Sequence, residues 1–67
     1  MNKIEKIIED FPIIRQIHIN DVVNVVIGES SLFYGIVNSI SLRGIQVLIG
    51  KEQFFVKWQN VLSKINA

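Results

Sequence analysis

From residue 22 to residue 65 the chain consists of five short apolar segments, separated by polar or glycine-containing segments of only three or four residues. Val and Ile make up 21 of the 67 residues, and their branched side chains favour the pleated strand over the helix. Connections this short join antiparallel neighbours, because a parallel crossover needs about a dozen residues. The pattern therefore predicts an antiparallel meander with strands at 22–27, 32–40, 45–49, 53–57 and 61–65.

The segment before the strands has a different periodicity. Residues 2–11 predict a short amphipathic helix that begins at Asn2, an N-cap with Glu5 three residues later, and ends before Pro12. Its apolar side chains recur at helical spacing, at Ile4, Ile7, Ile8 and Phe11. Residues 13–19 leave two interpretations open: a strand, in which Ile17 and Ile19 alternate with His18, or a second helical turn that starts at Pro12.

Five short strands after one helix predict a mostly β protein that forms a single domain over residues 1–67. Within it, residues 20–65 are expected to form a strongly bent, five-stranded SH3-like barrel. Gly35 lies in the middle of the longest strand, where a residue without a side chain permits a sharp bend.

The composition indicates how so small a domain is stabilised. The chain has no cysteine and one histidine, so neither disulfides nor a metal centre compensates for its small core. With 49% hydrophobic residues, some apolar surface is expected to meet a partner, and oligomerisation is the route that remains. Asp21, Glu29 and Arg43 interrupt the most hydrophobic part of the chain, so no apolar run is long enough for a membrane span. Acidic residues at the N-terminus argue against a signal peptide, and we expect a cytoplasmic protein.

Catalytic chemistry has few possible residues here. The glycines form no phosphate-binding loop, and His18, flanked by isoleucines, is the one possible general base. We therefore expect a protein without enzymatic activity, cofactor or metal.

The joint between the last two predicted strands holds the only tryptophan, in "KWQN" at residues 57–60. Trp58 has two interpretations: it closes one end of the barrel against the N-terminal helix, or it is exposed beside Lys57. An exposed pair of this kind offers a stacking surface and a phosphate contact, which single-stranded RNA recognition uses. The residue types fit both interpretations.

Three stretches together resemble the Sm-like family, and within it the bacterial Hfq-type RNA chaperones. "VVNVVIGESSLFYGIVNSI" is similar to the first Sm motif, and "QFFVKWQNVLSKI" is similar to the second motif in its Hfq form. "FPIIRQIH" is similar to the opening of Hfq relatives from photosynthetic bacteria. The resemblance covers nearly the whole chain and implies a short helix followed by five bent antiparallel strands.

The resemblance also implies a homo-oligomeric ring of about five to seven subunits, in which the fourth strand of one subunit pairs with the fifth strand of the next. The implied interface residues are Phe54, Phe55, Val56, Val61, Leu62 and Ile65. Each strand joint would face a central pore and bind single-stranded RNA, U-rich or A-rich. The implied RNA-binding residues are Lys57, Trp58, Gln59 and Asn60, completed either by Asn38 and Ser39 or by Ser41 and Arg43 in the loop after the second strand.

Two alternatives need no RNA. A small SH3-like adaptor would bind a protein partner through an aromatic groove of Phe33, Tyr34 and Trp58. A structural subunit, bacterial or from a phage, would use its apolar edge only to assemble a larger particle.

Overall fold

The computed structural model describes residues 3–65, and its elements follow one another in the predicted order. Helix α1 is followed by a 3-10 helix, five strands come next, and a second 3-10 segment, here called the joint, connects the last two strands. The bounds are Lys3–Asp10 for α1, Pro12–Gln16 for the 3-10 helix, Val22–Ile27 for β1, Ser31–Ile40 for β2, Gly44–Ile49 for β3, Glu52–Lys57 for β4, Trp58–Asn60 for the joint and Val61–Ile65 for β5.

The region between α1 and the sheet is helical. Pro12 occupies the first turn of the 3-10 helix, where its missing N–H costs nothing, and the backbone becomes extended at Ile17. The helical interpretation of this region is therefore confirmed for Pro12–Gln16, and the strand interpretation is wrong. The predicted cap at Asn2 lies outside the described residues.

The order of strands in the sheet is β4-β3-β2-β1-β5, and every neighbouring pair is antiparallel. Strands β1 to β4 form the predicted meander. The prediction is wrong for β5, which pairs with the free edge of β1 and places Val61 opposite Val25. Both valines of this pair are buried in the core.

The length of the joint requires the sheet to curl. In a flat five-stranded sheet the two outer strands would lie about 19 Å apart, four strand spacings of about 4.8 Å. A three-residue 3-10 segment covers only about 8 Å between the residues on either side of it. Since Lys57 ends β4 and Val61 begins β5, the two edges of the sheet approach each other at this end.

The concave face of the curled sheet holds the core. The buried residues are Ile17, Val23, Val25, Val37, Ile45, Val47, Val56, Trp58 and Val61. Helix α1 covers this core only in part: Ile7, together with Phe11 just after the helix, packs against it, whereas Ile4 stays exposed. No helix within residues 3–65 has the length and apolar character needed to cross a membrane.

Gly35 leaves room for β3 where β2 crosses the core. A Cβ atom at this position would lie 2.9 Å from Cβ of Val47 and 3.1 Å from Cγ1 of Ile49 on β3. Both distances are shorter than ordinary van der Waals contact, so a larger residue would have to displace these side chains. The glycine is thus explained by close packing, and the sharp bend expected at this residue stays a prediction.

A polar network fastens the 3-10 helix to the last strand. The Asp21 carboxylate accepts a hydrogen bond from the His18 backbone N–H at 2.8 Å, and its oxygen lies 3.1 Å from Nζ of Lys64. The same Lys64 ammonium donates to the carbonyl oxygen of Gln16 at 3.1 Å. The hydrogen bond from His18 is the largest of the effects that lower the pKa of Asp21 below its ordinary value, and Lys64 adds to it.

Candidate nucleic-acid interface

The loop between β2 and β3 packs against the joint. Gly44, the first residue of β3, pairs with Lys57, the last residue of β4. The Trp58 backbone N–H then donates to the carbonyl oxygen of Arg43 at 3.4 Å. Of the two alternatives for completing the site, the pair Ser41 and Arg43 is therefore the one that lies at the joint.

Gly44 makes this close approach possible. A Cβ atom there would collide with the carbonyl oxygen of Val56 and lie 2.9 Å from Cα of Lys57. Because both of those atoms belong to the backbone, they cannot rotate away as a flexible side chain could. A side chain at residue 44 would separate the loop from the joint.

Trp58 is part of the core. Only 2% of the residue is exposed, and its indole N–H donates to the carbonyl oxygen of Ser41 at 3.0 Å. Ser41 is itself held by Gly44, whose carbonyl oxygen accepts from the Ser41 backbone N–H and from its hydroxyl group, at 2.8 and 3.1 Å. Trp58 therefore closes the core and fixes the loop, and the prediction of an exposed stacking face at this residue is wrong.

The place where the joint meets the loop between β2 and β3 is here called the corner. Its charged residues are Lys57 and Arg43, and both side chains are exposed. Among residues 3–65 neither forms an ion pair. Glu52, the acidic residue of β4, lies at the opposite end of that strand, about 16 Å away along the chain. Two unpaired cations on adjoining backbone segments make the corner suitable for an anion such as phosphate.

The amide residues of the joint differ in accessibility. Gln59 is exposed, and Asn60 is partly buried at the start of β5. Asn38 and Ser39 lie inside β2, within the predicted strand 32–40, so their assignment to the loop that completes the site is wrong. Asn38 is the extra residue of a β-bulge, and Ser39 pairs with Gln46 of β3.

The six predicted interface residues fall into two groups. Val56 and Val61 are buried in the core and Phe54 is partly buried against it, so these side chains stabilise the subunit itself. Phe55, Leu62 and Ile65 are exposed on β4 and β5, the two outer strands of the sheet. Only this second group has side chains that are free to contact another molecule.

Phe55 lies beside Lys57 on one face of β4, a neighbour relation that the sequence analysis missed. Successive side chains of a strand point to opposite faces, so Phe55 and Lys57 share the outer face of β4 while Val56 between them is buried. The alternation in "FFVK" was the available signal, since a buried Val56 places both of its neighbours outside.

Within the described part of the chain, no group of three or more His, Cys, Asp or Glu residues is arranged to hold a metal ion. The chain matches no protein-family model, and comparison with curated proteins and with solved structures gives no significant match. The geometry and the sequence patterns therefore carry the functional argument.

Proposed function

We propose that this protein is a non-catalytic, Sm-like ring protein of the cytoplasm, whose curled sheet forms a small barrel with β4 and β5 at its open edges and which binds single-stranded RNA at the strand joints. The observation that carries the proposal is the position of β4 and β5. They are the two open edges of one sheet, yet three residues connect them. One corner of the molecule thus holds both unpaired edges and the cations Lys57 and Arg43.

The open edges support assembly between copies of the chain. An outer strand presents unpaired N–H and C=O groups, and exposed apolar residues such as Leu62 and Ile65 on such strands favour association. If β4 of one copy pairs with β5 of the next, the contact is head to tail, and such contacts form a ring when the rotation closes. A closed ring of about five to seven copies leaves no edge unpaired.

The cations support binding of a phosphate backbone. One lysine and one arginine bind weakly alone, but a ring repeats the pair once per subunit, and a strand that contacts several corners gains avidity. Gln59 adds an exposed amide that can bond to a base edge. The chain's net charge of only +1 matters less than this local repetition.

The proposal is tested by native mass spectrometry and by titration of fluorescein-labelled oligo-U and oligo-A RNA. We expect a discrete ring without RNA, and an affinity that falls steeply between about 50 and 200 mM salt. Lys57→Ala should weaken binding of both RNAs and reduce the slope of log affinity against log salt by about one for each phosphate that the lysine neutralised. The ring should stay intact.

Lys51→Ala is the matched control, because Lys51 is an exposed lysine in the turn at the opposite end of β4. It removes the same charge from the chain, and the affinity should not change beyond a small nonspecific effect. A monomer at all concentrations, or equal reductions in affinity for the two lysine variants, would reject the proposed function.

The outer face of β2 supports protein binding as the second candidate function. Leu32, Tyr34 and Ile36 are exposed on this face, and none of them is charged. The aromatic groove expected for an adaptor does not form, because Phe33 and Tyr34 point to opposite faces of β2 and Trp58 is buried. A partner bound to this apolar face would be retained at high salt, where RNA is released.

A further inference from the structure

We infer that Phe55, together with Lys57, forms a stacking site for one unpaired nucleotide on the outer face of β4. The inference rests on the proposed function and adds to it the residue that holds a base. The predicted stacking residue, Trp58, is buried, and Phe55 occupies the place where an aromatic ring is accessible beside the lysine.

The geometry of β4 places the aromatic ring of Phe55 close to the charge of Lys57. Phe55 and Lys57 lie two residues apart on one face, about 7 Å along the strand. Phe55 is 51% exposed, so one side of its ring is accessible to a ligand, while the Cβ end of the side chain rests on the sheet. A nucleotide whose base stacks on Phe55 brings its phosphate within reach of the long Lys57 side chain.

Amide groups flank the ring. Gln46 of β3 is the cross-strand partner of Phe55, and its side-chain oxygen accepts a hydrogen bond from the Gln53 amide. Apart from this bond, the amide nitrogen of Gln46 and the side-chain oxygen of Gln53 have no partner among the described residues. One donor and one acceptor beside an aromatic ring suit the hydrogen-bonding edge of a base.

The charge of this surface selects a nucleic acid over an apolar partner. Lys57 is on the same face, Arg43 adjoins it through the Gly44–Lys57 pair, and neither cation has an ion-pair partner among residues 3–65. A phosphate backbone complements these charges, whereas an apolar protein segment would leave them desolvated and unpaired. The base must be unpaired, because the face of a base inside a duplex is already stacked.

The other exposed aromatic residue of the outer face lacks this combination. Tyr34 is 65% exposed, but its cross-strand partner is Asn24, whose own partner on β5 is Ser63. None of these three residues is charged. Tyr34 therefore serves as the internal control for an accessible ring whose cross-strand neighbours on β1 and β5 carry no charge.

The experiment compares Phe55→Ala, Phe55→Leu, Phe55→Trp and Tyr34→Ala with the unchanged protein, after native mass spectrometry has established the same assembly for each. The probes are fluorescein-labelled oligo-U RNA and a sugar-phosphate oligomer of equal length without bases. Stacking is worth about 1–3 kcal/mol per base, a factor of about 5 to 150 in affinity. Phe55→Leu retains apolar bulk without an aromatic ring, so it separates the effect of stacking from that of a weakened subunit interface.

We expect both Phe55→Ala and Phe55→Leu to weaken oligo-U binding at least about fivefold, while Tyr34→Ala leaves it unchanged. Phe55→Trp should bind at least as tightly and lose fluorescence when RNA is added. The oligomer without bases should bind the unchanged protein and Phe55→Leu equally.

If the unchanged protein binds oligo-U and Phe55→Leu binds it as tightly, the stacking site is wrong and the proposed function stands. If the unchanged protein binds neither probe, the proposed function fails and the stacking site fails with it.

Discussion

At the scale of single residues, Trp58 connects the core with the loop that carries Arg43. Its ring fills one end of the core, and its indole N–H satisfies the carbonyl oxygen of Ser41. A tryptophan suits this position because it buries a large apolar area and still has one polar group at its edge. Its effect on a bound ligand is therefore indirect, through the position of the loop.

Trp58→Phe should lower the free energy of unfolding by about 1–3 kcal/mol, because the Ser41 carbonyl oxygen loses its donor. Trp58→Ala should lower it by about 3–5 kcal/mol, much of the total of about 3–10 kcal/mol expected for a chain of this length. Urea unfolding followed by far-ultraviolet circular dichroism measures both. Tyr34→Ala, at an exposed aromatic residue, is the control, and a destabilisation as large as that of Trp58→Phe would contradict the role given to Trp58.

Asp21 gives the protein a dependence on pH. Its pKa in the folded state is lowered from the ordinary 3.8, first by the hydrogen bond from His18 and further by Lys64. A lowered pKa means that the ionised carboxylate stabilises the folded state, and this contribution is complete above the ordinary value. We expect it to be lost as the pH falls from about 4 through the lower pKa of the folded state.

The measurement for Asp21 is the free energy of unfolding between about pH 2 and pH 7, compared with Asp21→Asn. The variant should be less stable at neutral pH, because Lys64 loses its counter-ion, and its stability should fall less steeply below about pH 4. Glu29→Gln, in the exposed β1–β2 turn, is the control. Parallel curves for the unchanged protein and Asp21→Asn would show that this network does not contribute.

At the scale of elements, the local periodicity of the sequence predicts where the strands lie. The β-branched segments and the turns between them gave all five strands, with β2, β3 and β4 each starting one residue earlier than predicted, at Ser31, Gly44 and Glu52. Because those residues are polar or glycine, the sequence pattern placed them in the turns before the strands. Backbone pairing does not depend on the side chain at the end of a strand, and this explains the shift.

Long-range pairing was beyond the reach of the same reasoning. No local pattern states that β5 pairs with β1, because the short joint is equally compatible with a hairpin to β4. The β-bulge at Asn38 is also not visible in the alternation of apolar and polar residues, although it shifts the register between β2 and β3. For the site, the resemblance implied Lys57 and left Arg43 as part of one of two alternatives, whereas the burial of Trp58 depends on how tightly the sheet curls.

At the scale of the whole molecule, assembly should be visible in thermal stability. If only folded chains associate through β4 and β5, the melting temperature rises with protein concentration by mass action. Leu62→Glu should remove this dependence, because Leu62 is the extra residue of a bulge on the outer strand β5 and is 49% exposed. A charge there faces the predicted neighbour without disturbing the core.

Differential scanning fluorimetry over an approximately twentyfold range of concentration tests this expectation. Leu32→Glu is the matched control: the leucine is also exposed, but β2 lies in the interior of the sheet, so the dependence should persist. A melting temperature that is independent of concentration in the unchanged protein would argue against assembly through the outer strands.

The pairing of β1 with β5 also sets the largest loop that the chain must close in order to fold. Strands β1 to β4 each pair with a neighbour that follows within a few residues, whereas the pairing of Val25 with Val61 joins residues that are far apart in the chain. Until β5 pairs, the other edge of β1 has no partner, and Val61 does not yet complete the core. A chain that is delayed at this stage displays an unpaired strand edge on β1, where a chaperone or a second chain can bind it.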